Sequence, residues 1–493
     1  MPNQNKPTPP LSLIEPHIRS LWKKRSTDKQ IVAKLRQLID TDQYGIGLTK
    51  FIEIRKGLGL YRTRQQAHTP DTIRPVMTEL REIYPNAGVR EMISLIFHEH
   101  DMAVSRNTMQ SYFASYEPPE LLRQRKANRL RRRRFWAAGV NDIWAVDQHD
   151  KWLRHGLALH TGVEPFSGRI LWMKIWHSNR NSQLILSYYL EVVEKFGFIP
   201  MVTQSDPGTE NFGIANAQTF LCQMQDPTLQ GFVQHRWMRT KKNIVPEIAW
   251  SQLRRRFAPG FKGILDHGVN EGWYDPDNTL QLMVFHWVFI PWLQSELDAY
   301  RDRINNTRKR RDRNKVLPHG VPELIHENPE EYGSLDFKVM VSEAAINEVR
   351  RLYINGDHTV FDLIPAPLNH YIEQCYDHLG RPQVGRMSAW TVYLEILDLM
   401  RRYEDIADIL GGIEGIAEDS DPAILVAGAD LHEVDGYMGG VANGLGLQPE
   451  HLTALDVYEA DEPDTFVDEI EATQVAWVDA FSSDEEEEVD DSL

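Results

Sequence analysis

Three acidic residues of this 493-residue chain stand where strand and helix patterning would bring carboxylates together. Asp147 lies within the apolar alternation of WAVDQHDKW. Asp206 closes the run PMVTQSD just before Pro207-Gly208, and Glu247 opens NIVPEIAWSQLRRR with Trp250 one turn further on. The separations are 59 and 41 positions. A carboxylate in a strand is costly unless it is paired or bound to a cation. Three of them converging at strand ends would bind two Mg2+ or Mn2+ ions about 3.5–4 Å apart through oxygen ligands. Such ions activate a water or a 3′-hydroxyl and steady the leaving oxygen of a phosphodiester, with no general base of unusual pKa required.

Plainer roles stay open for each residue. Asp147 has Asp142 and Asp150 as rivals for the ligand position, and Asp206 before Pro-Gly is a common turn-capping residue. Glu247 in a first helical turn complements the helix dipole. Glu210 and Asn211 read as turn and N-cap residues, and His149 and His155 as structural or solvent-facing. Arg254, Arg255 and Arg256 continue the Glu247 helix, either to meet phosphates or as a solvated face.

The elements that must position these acids begin at Trp136, where the texture turns from helical to mixed. Strands are predicted at 143–149, 157–163 and 170–176, then a helix over 179–196 ended by Gly197. The Asp206 strand, another helix, a strand near 232–235 and a helix from about Pro246 complete a mixed α/β sheet. A long helix is predicted over 279–306, with a kink at Pro291, and residues 340–410 read as helical.

Ahead of the sheet, two helical pairs repeat one plan. Ser26 is placed to cap a helix with Ile31, Leu35, Leu38 and Ile39 on one face, and Thr49 to cap a second holding Phe51, Ile52 and Leu58. Val89, Met92, Ile93, Ile96 and Phe97 share a later face. Ser105 then caps RNTMQSYFASY, with Thr108, Met109, Tyr112 and Phe113 inward and Arg106, Asn107 and Gln110 on the polar side. Two helix–turn–helix units facing DNA are expected, because Arg123 to Arg134, including Arg131, Arg132, Arg133 and Arg134, places eight basic residues in twelve positions. A second basic cluster runs from Arg308 to Arg313 with Lys315; an import signal, a phosphate clamp and a charged helix end all remain open for it.

The formal net charge of −17 hides a segregation of sign. Residues 411–493 hold 24 Asp and Glu and no Lys or Arg, leaving 54 basic against 47 acidic residues, a balance of +7, in the rest. A polyanion partner for the body and a largely disordered, solvated tail are expected. With 42% hydrophobic residues the chain can bury real cores, which excludes wholesale disorder. Two cysteines, Cys222 and Cys375, exclude a disulfide framework and suit a reducing compartment. The start MPNQNKPTPP lacks signal-peptide character, and the apolar run 282–293 is too short to span a bilayer. A soluble intracellular protein without a membrane partner is expected.

Trp144-x-x-Asp147, the Ser205–Asn211 turn S-D-x-G-T-E-N and Glu247-x-x-Trp250, in that order, resemble the D,D,E core of retroviral integrases and transposases. The likeness is closest to integrase core domain proteins of fungal and animal genomes, and NNTRKRRDRNKVLPHGVPELI (305–325) resembles the segment downstream of that core. This resemblance covers about residues 135–335. It implies a ribonuclease-H-like fold, Asp147, Asp206 and Glu247 as catalytic metal ligands for two Mg2+ or Mn2+ ions, and metal-dependent DNA strand transfer of a mobile element. It also implies a nuclear, homo-oligomeric enzyme acting on element ends and target DNA. The longer second spacing points to an insertion around 223–230. With no cysteine before Cys222, no N-terminal zinc module is expected, and the helical pairs would replace it. Arg254 and the Arg131–Arg134 run would contact phosphates. A catalytically silent DNA-binding protein, or a hydrolytic nuclease of the same fold, is the alternative. The expected organisation is a disordered 1–12, helix–turn–helix units 13–66 and 67–118, a basic linker 119–138, a core 139–335, a helical extension 336–410 and the acidic tail 411–493.

Overall fold

The computed structural model describes residues 6–118, 137–238, 243–309, 317–403, 406, 410–411 and 429–431. Arg131 to Arg134, most of the second basic cluster and nearly all of the acidic tail lie outside these residues.

Among the described residues, seven helices come first: α1 (Leu11–Lys23), α2 (Asp28–Leu38), α3 (Leu48–Gly57), the short α4 (Thr63–Gln66), α5 (Pro70–Ile83), α6 (Val89–His100) and α7 (Arg106–Tyr116). They form two three-helix units, each with its own core. Ile14, Ile18, Ile31, Leu35 and Phe51 fill the first, and Ile73, Met77, Met92, Ile96, Met109 and Phe113 the second. The leading helix of each unit, α1 and α5, adds to the expected pair. Three details differ from expectation. Thr27, not Ser26, caps α2, through a capping box with Gln30. Gly47 precedes α3 and Thr49 lies inside its first turn. Leu38 points to solvent. Ser105 caps α7 as expected, accepting from the Thr108 N–H at 3.0 Å.

The central sheet is built from β1 (Ile143–His149), β2 (Ala158–Glu164), β3 (Arg169–Trp176), then, after α8 (Ser182–Phe196) and the two-residue β4 (Phe198–Ile199), from β5 (Val202–Ser205). After α9 (Phe212–Gln225), β6 (Phe232–Trp237) completes five strands. The chain continues through α10 (Ile244–Arg256), α11 (Ala258–Asn270), α12 (Thr279–Asn306) and α13 (Pro322–Glu327). β7 (Val339–Met340), α14 (Glu343–Tyr353), α15 (Ala366–His378), α16 (Ala389–Met400) and β8 (Ala429–Leu431) come last. The order is β3-β2-β1-β5-β6-β8. β1, β2 and β3 pair antiparallel as a meander, whereas β5, β6 and β8 run parallel to β1. This mixed sheet is ribonuclease-H-like. β4 and β7 pair with each other.

Both faces of the sheet are covered. Trp144 and Val146 of β1 pack under α8, α9 and α14, while the opposite face packs against α10, α11, α12, α15 and α16. Strand alternation therefore turns Asp147 towards the α10 side. β3 is an edge strand, and α12 closes it with two side-chain amides. Gln294 bonds Ile175 N–H and Met173 C=O, and Asn305 bonds both backbone groups of Ile170. Asn305, at the head of the 305–325 segment, is thus structural. Among the described residues no helix is long and apolar enough to cross a membrane.

Candidate active site

The 59-residue spacing between the first two acids is the register of a parallel strand pair. β1 and β5 pair Ile143 with Val202, Trp144 with Thr203 and Ala145 with Gln204. Two residues further along the same register, Asp147 stands beside Asp206 on the same face, with strands about 4.8 Å apart. Asp206 comes directly after the last residue of β5, where the chain turns away. The Glu210 carboxylate packs against Gly208 in that turn, 2.0 Å from where a Cβ would be.

Glu247 comes from the first turn of α10, which begins at Ile244, slightly ahead of the expected start. α10 packs across β1 and β2, and its Trp250 stacks on His149 at the end of β1, with ring centroids 4.9 Å apart and an interplanar angle of 15°. Burial lowers the His149 pKa to about 4, with Lys151 and Arg254 adding to the effect. The ring is therefore neutral at pH 7 and serves as a stacking surface.

Asp147 carries the strongest electrostatic signature. Burial pushes its pKa well above the usual carboxylate range, and the neighbouring Asp206 and then Glu247 push it further. The backbone N–H of Gln148 and the Trp250 indole N–H oppose the rise, the indole without reaching normal hydrogen-bond geometry. Burial also raises Asp206, whose Oδ1 is sealed from solvent with no donor. Acids acting on one another in a desolvated site favour the protonated form of Asp147. A buried, unpartnered carboxylate oxygen suits a hard cation with oxygen ligands. Among the described residues, no three acidic, His or Cys side chains close on a single point as one ligand set. Two ions sharing three carboxylates do not need such a set.

The rival ligands lie elsewhere. Asp142 precedes β1, about five residues or roughly 17 Å along the strand from Asp147, and accepts from the Ala138 N–H at 3.0 Å. Asp150 is exposed beyond β1 and accepts from Asn179 at 2.8 Å. His155 is buried beside Asp266, 3.1 Å away. Glu210 is a turn residue as expected, and Asn211 donates to it at 2.8 Å instead of capping α9. Beneath Asp206, buried His235 bridges Thr203 and Ser205 at 2.8 and 3.0 Å.

Two further residues belong to the site without a clear mark in the sequence. Gln148, next to Asp147 on β1, lies close enough to Glu210 to oppose the burial-driven rise of its pKa. Asn243, just before α10, is fully buried and bonds both Val146 and Gln204. Its only sequence signal is a polar residue in a loop four positions before Glu247.

The residues expected to meet DNA are spread out. Asn107 and Gln110 are exposed on α7, and Arg106 is half-buried at its start. Arg254 lies on α10 close enough to influence His149. Arg256 faces inward, 3.6 Å from Glu91 of α6, so it is not part of a solvated face.

The integrase core domain family matches residues 135–321, a stretch that opens just before β1, contains all three acids and closes at the start of α13. No curated protein matches the chain. Residues 135–321 are therefore similar to an integrase core domain, and this likeness takes in all three acids.

Proposed function

We propose that this protein is a DDE-type integrase or transposase, a polynucleotidyl transferase that cuts DNA and joins the freed 3′ end to a target strand. The observation that carries this reading is the Asp147 carboxyl, buried and raised by Asp206 and Glu247 at the end of adjacent parallel strands. Asp147, Asp206 and Glu247 would hold the two divalent ions. When bound, these supply Lewis acidity at the phosphoryl oxygens and a lowered pKa for the attacking hydroxyl or water. Asp147 and Asp206 would share the ions, and Glu247 would complete the second site. The stacked His149–Trp250 pair ties α10, and with it Glu247, to the end of β1. Arg254, two turns beyond Glu247, would hold a backbone phosphate. The exposed Asn107 and Gln110 of α7 would read bases, with Arg106 and Arg131–Arg134 on phosphates.

The test is cleavage and joining of a labelled branched DNA with Mg2+ or Mn2+. Asp147→Asn, Asp206→Asn and Glu247→Gln should each lower activity at least a hundredfold and leave DNA affinity within about threefold of wild type. A catalytically silent DNA-binding protein of the same fold is the second reading. DNA binding without any wild-type cleavage would select it. Hydrolysis without joining would make the protein a nuclease.

A further inference from the structure

Glu247 is the one acid of the three that does not come from the sheet, so its distance to the other two depends on how α10 is seated. Trp250 stacks on His149 one turn beyond it. A stacked pair fixes the separation normal to the rings but resists sliding in their plane only weakly. The missing restraint lies at the other flank. Asn243 has no exposed surface and immediately precedes α10. Its Nδ2 donates at 2.8 Å to the carbonyl of Val146, the residue before Asp147. Its Oδ1 accepts at 3.2 Å from Nε2 of Gln204, two residues before Asp206. The backbone ladder between β1 and β5 ends at Ala145 and Gln204, so this one amide continues it across the top of both strands.

We propose that Asn243 is a positioning residue that sets the reach of Glu247 to Asp147 and Asp206, one side chain referencing the third acid to the strands of the other two. The proposal rests on the reading of these acids as holders of divalent ions. Its physical content is a rigid lever: Glu247 is the fourth residue of the helix that Asn243 anchors, and both hydrogen bonds lie in a dry environment where an unmade partner is expensive. Partners of this kind around metal ligands typically change metal affinity by about 10–100-fold when removed.

The experiment uses full-length protein and Mn2+ as the probe. Binding is followed without DNA by loss of the free-ion paramagnetic signal, and cleavage of branched DNA is measured in parallel with Mg2+ and with Mn2+. Asn243→Ala should weaken Mn2+ binding about tenfold or more while DNA affinity is kept. It should also raise the ratio of Mn2+-supported to Mg2+-supported cleavage, because Mg2+ demands the stricter geometry. Gln204→Met, which removes one arm of the clamp at similar volume, should shift both readouts in the same direction by less, and it serves if Asn243→Ala does not fold. A folded variant with lowered melting temperature but unchanged Mn2+ affinity and metal ratio overturns the proposal and leaves Asn243 a plain structural residue. A wild type that binds no Mn2+ overturns the metal reading itself, and the clamp with it.

Discussion

Asp142 and Asp147 share a segment and a burial-raised pKa, yet their surroundings assign them different work. Asp142 is fully buried, has one hydrogen bond from Ala138 and lies near Arg236, and burial brings its pKa up to about 6. No second acid acts on it. Its folded pKa lies above the ordinary value of 3.8, so the stability linked to its protonation is complete below about pH 4 and is lost as pH rises through about 6. Asp142→Asn keeps an acceptor for Ala138 and removes the charge. It should stabilise the fold by about 1–3 kcal/mol at pH 8 and by almost nothing at pH 4 in urea melts. An equal gain at both pH values would mean that ionisation is not the cause. Residue types and spacing make Asp147, Asp206 and Glu247 visible in the sequence, because a strand carboxylate stands out against apolar neighbours. Asn243 and Gln148 are not visible there. Asn243, a buried amide whose partners are a backbone carbonyl and a distant side chain, looks in one dimension like any polar loop residue.

At the scale of elements, the strands and most helices can be read because each buries one face with a clear period. α1 and α5 are hard to read because Pro16 and Pro75 interrupt their patterns. Both prolines stand in the second turn, and the buried positions around them, Ile14 with Ile18 and Ile73 with Met77, keep helical spacing. The cap of α2 falls one residue later than expected because Ser26 and Thr27 are adjacent and equally competent; Gln30 settles the choice through its reciprocal bond to Thr27. What no periodicity could show is how α5 meets α11. Gly260 lets the two approach so closely that a Cβ there would stand 2.0 Å from the Ile83 carbonyl oxygen. Gly260→Ala should therefore cost about 1–3 kcal/mol through backbone displacement. It should also expose the 83–89 connection to earlier proteolysis than in wild type; an unchanged melt and digest would show that this contact is not rigid.

At the scale of the whole molecule, charge and architecture separate the chain into a basic body and an acidic tail, and the short β8 of that tail pairs along β6. Deleting residues 411–493 removes 24 negative charges and no positive ones, and should raise nonspecific DNA affinity and steepen its salt dependence. Identical binding at low salt would show that the tail does not compete with DNA. Both helical units dock at the far end of α12, with α13 as a second support for the first unit. Lys23 pairs with Asp302, Lys24 with Glu327, and buried Arg303 lies between Glu91 and Glu99. The near end of α12 meets the β1–β2 connection, where His286 bonds the Gly156 carbonyl at 2.8 Å, on the side of the sheet where the three acids gather. From His286 to Asn305 the helix covers roughly 28 Å, the length of about eight base pairs of duplex. On the function proposed above, α12 would act as a ruler: it spans from the helical units at one end to the acids' side of the sheet at the other, an interval written into protein and not into DNA.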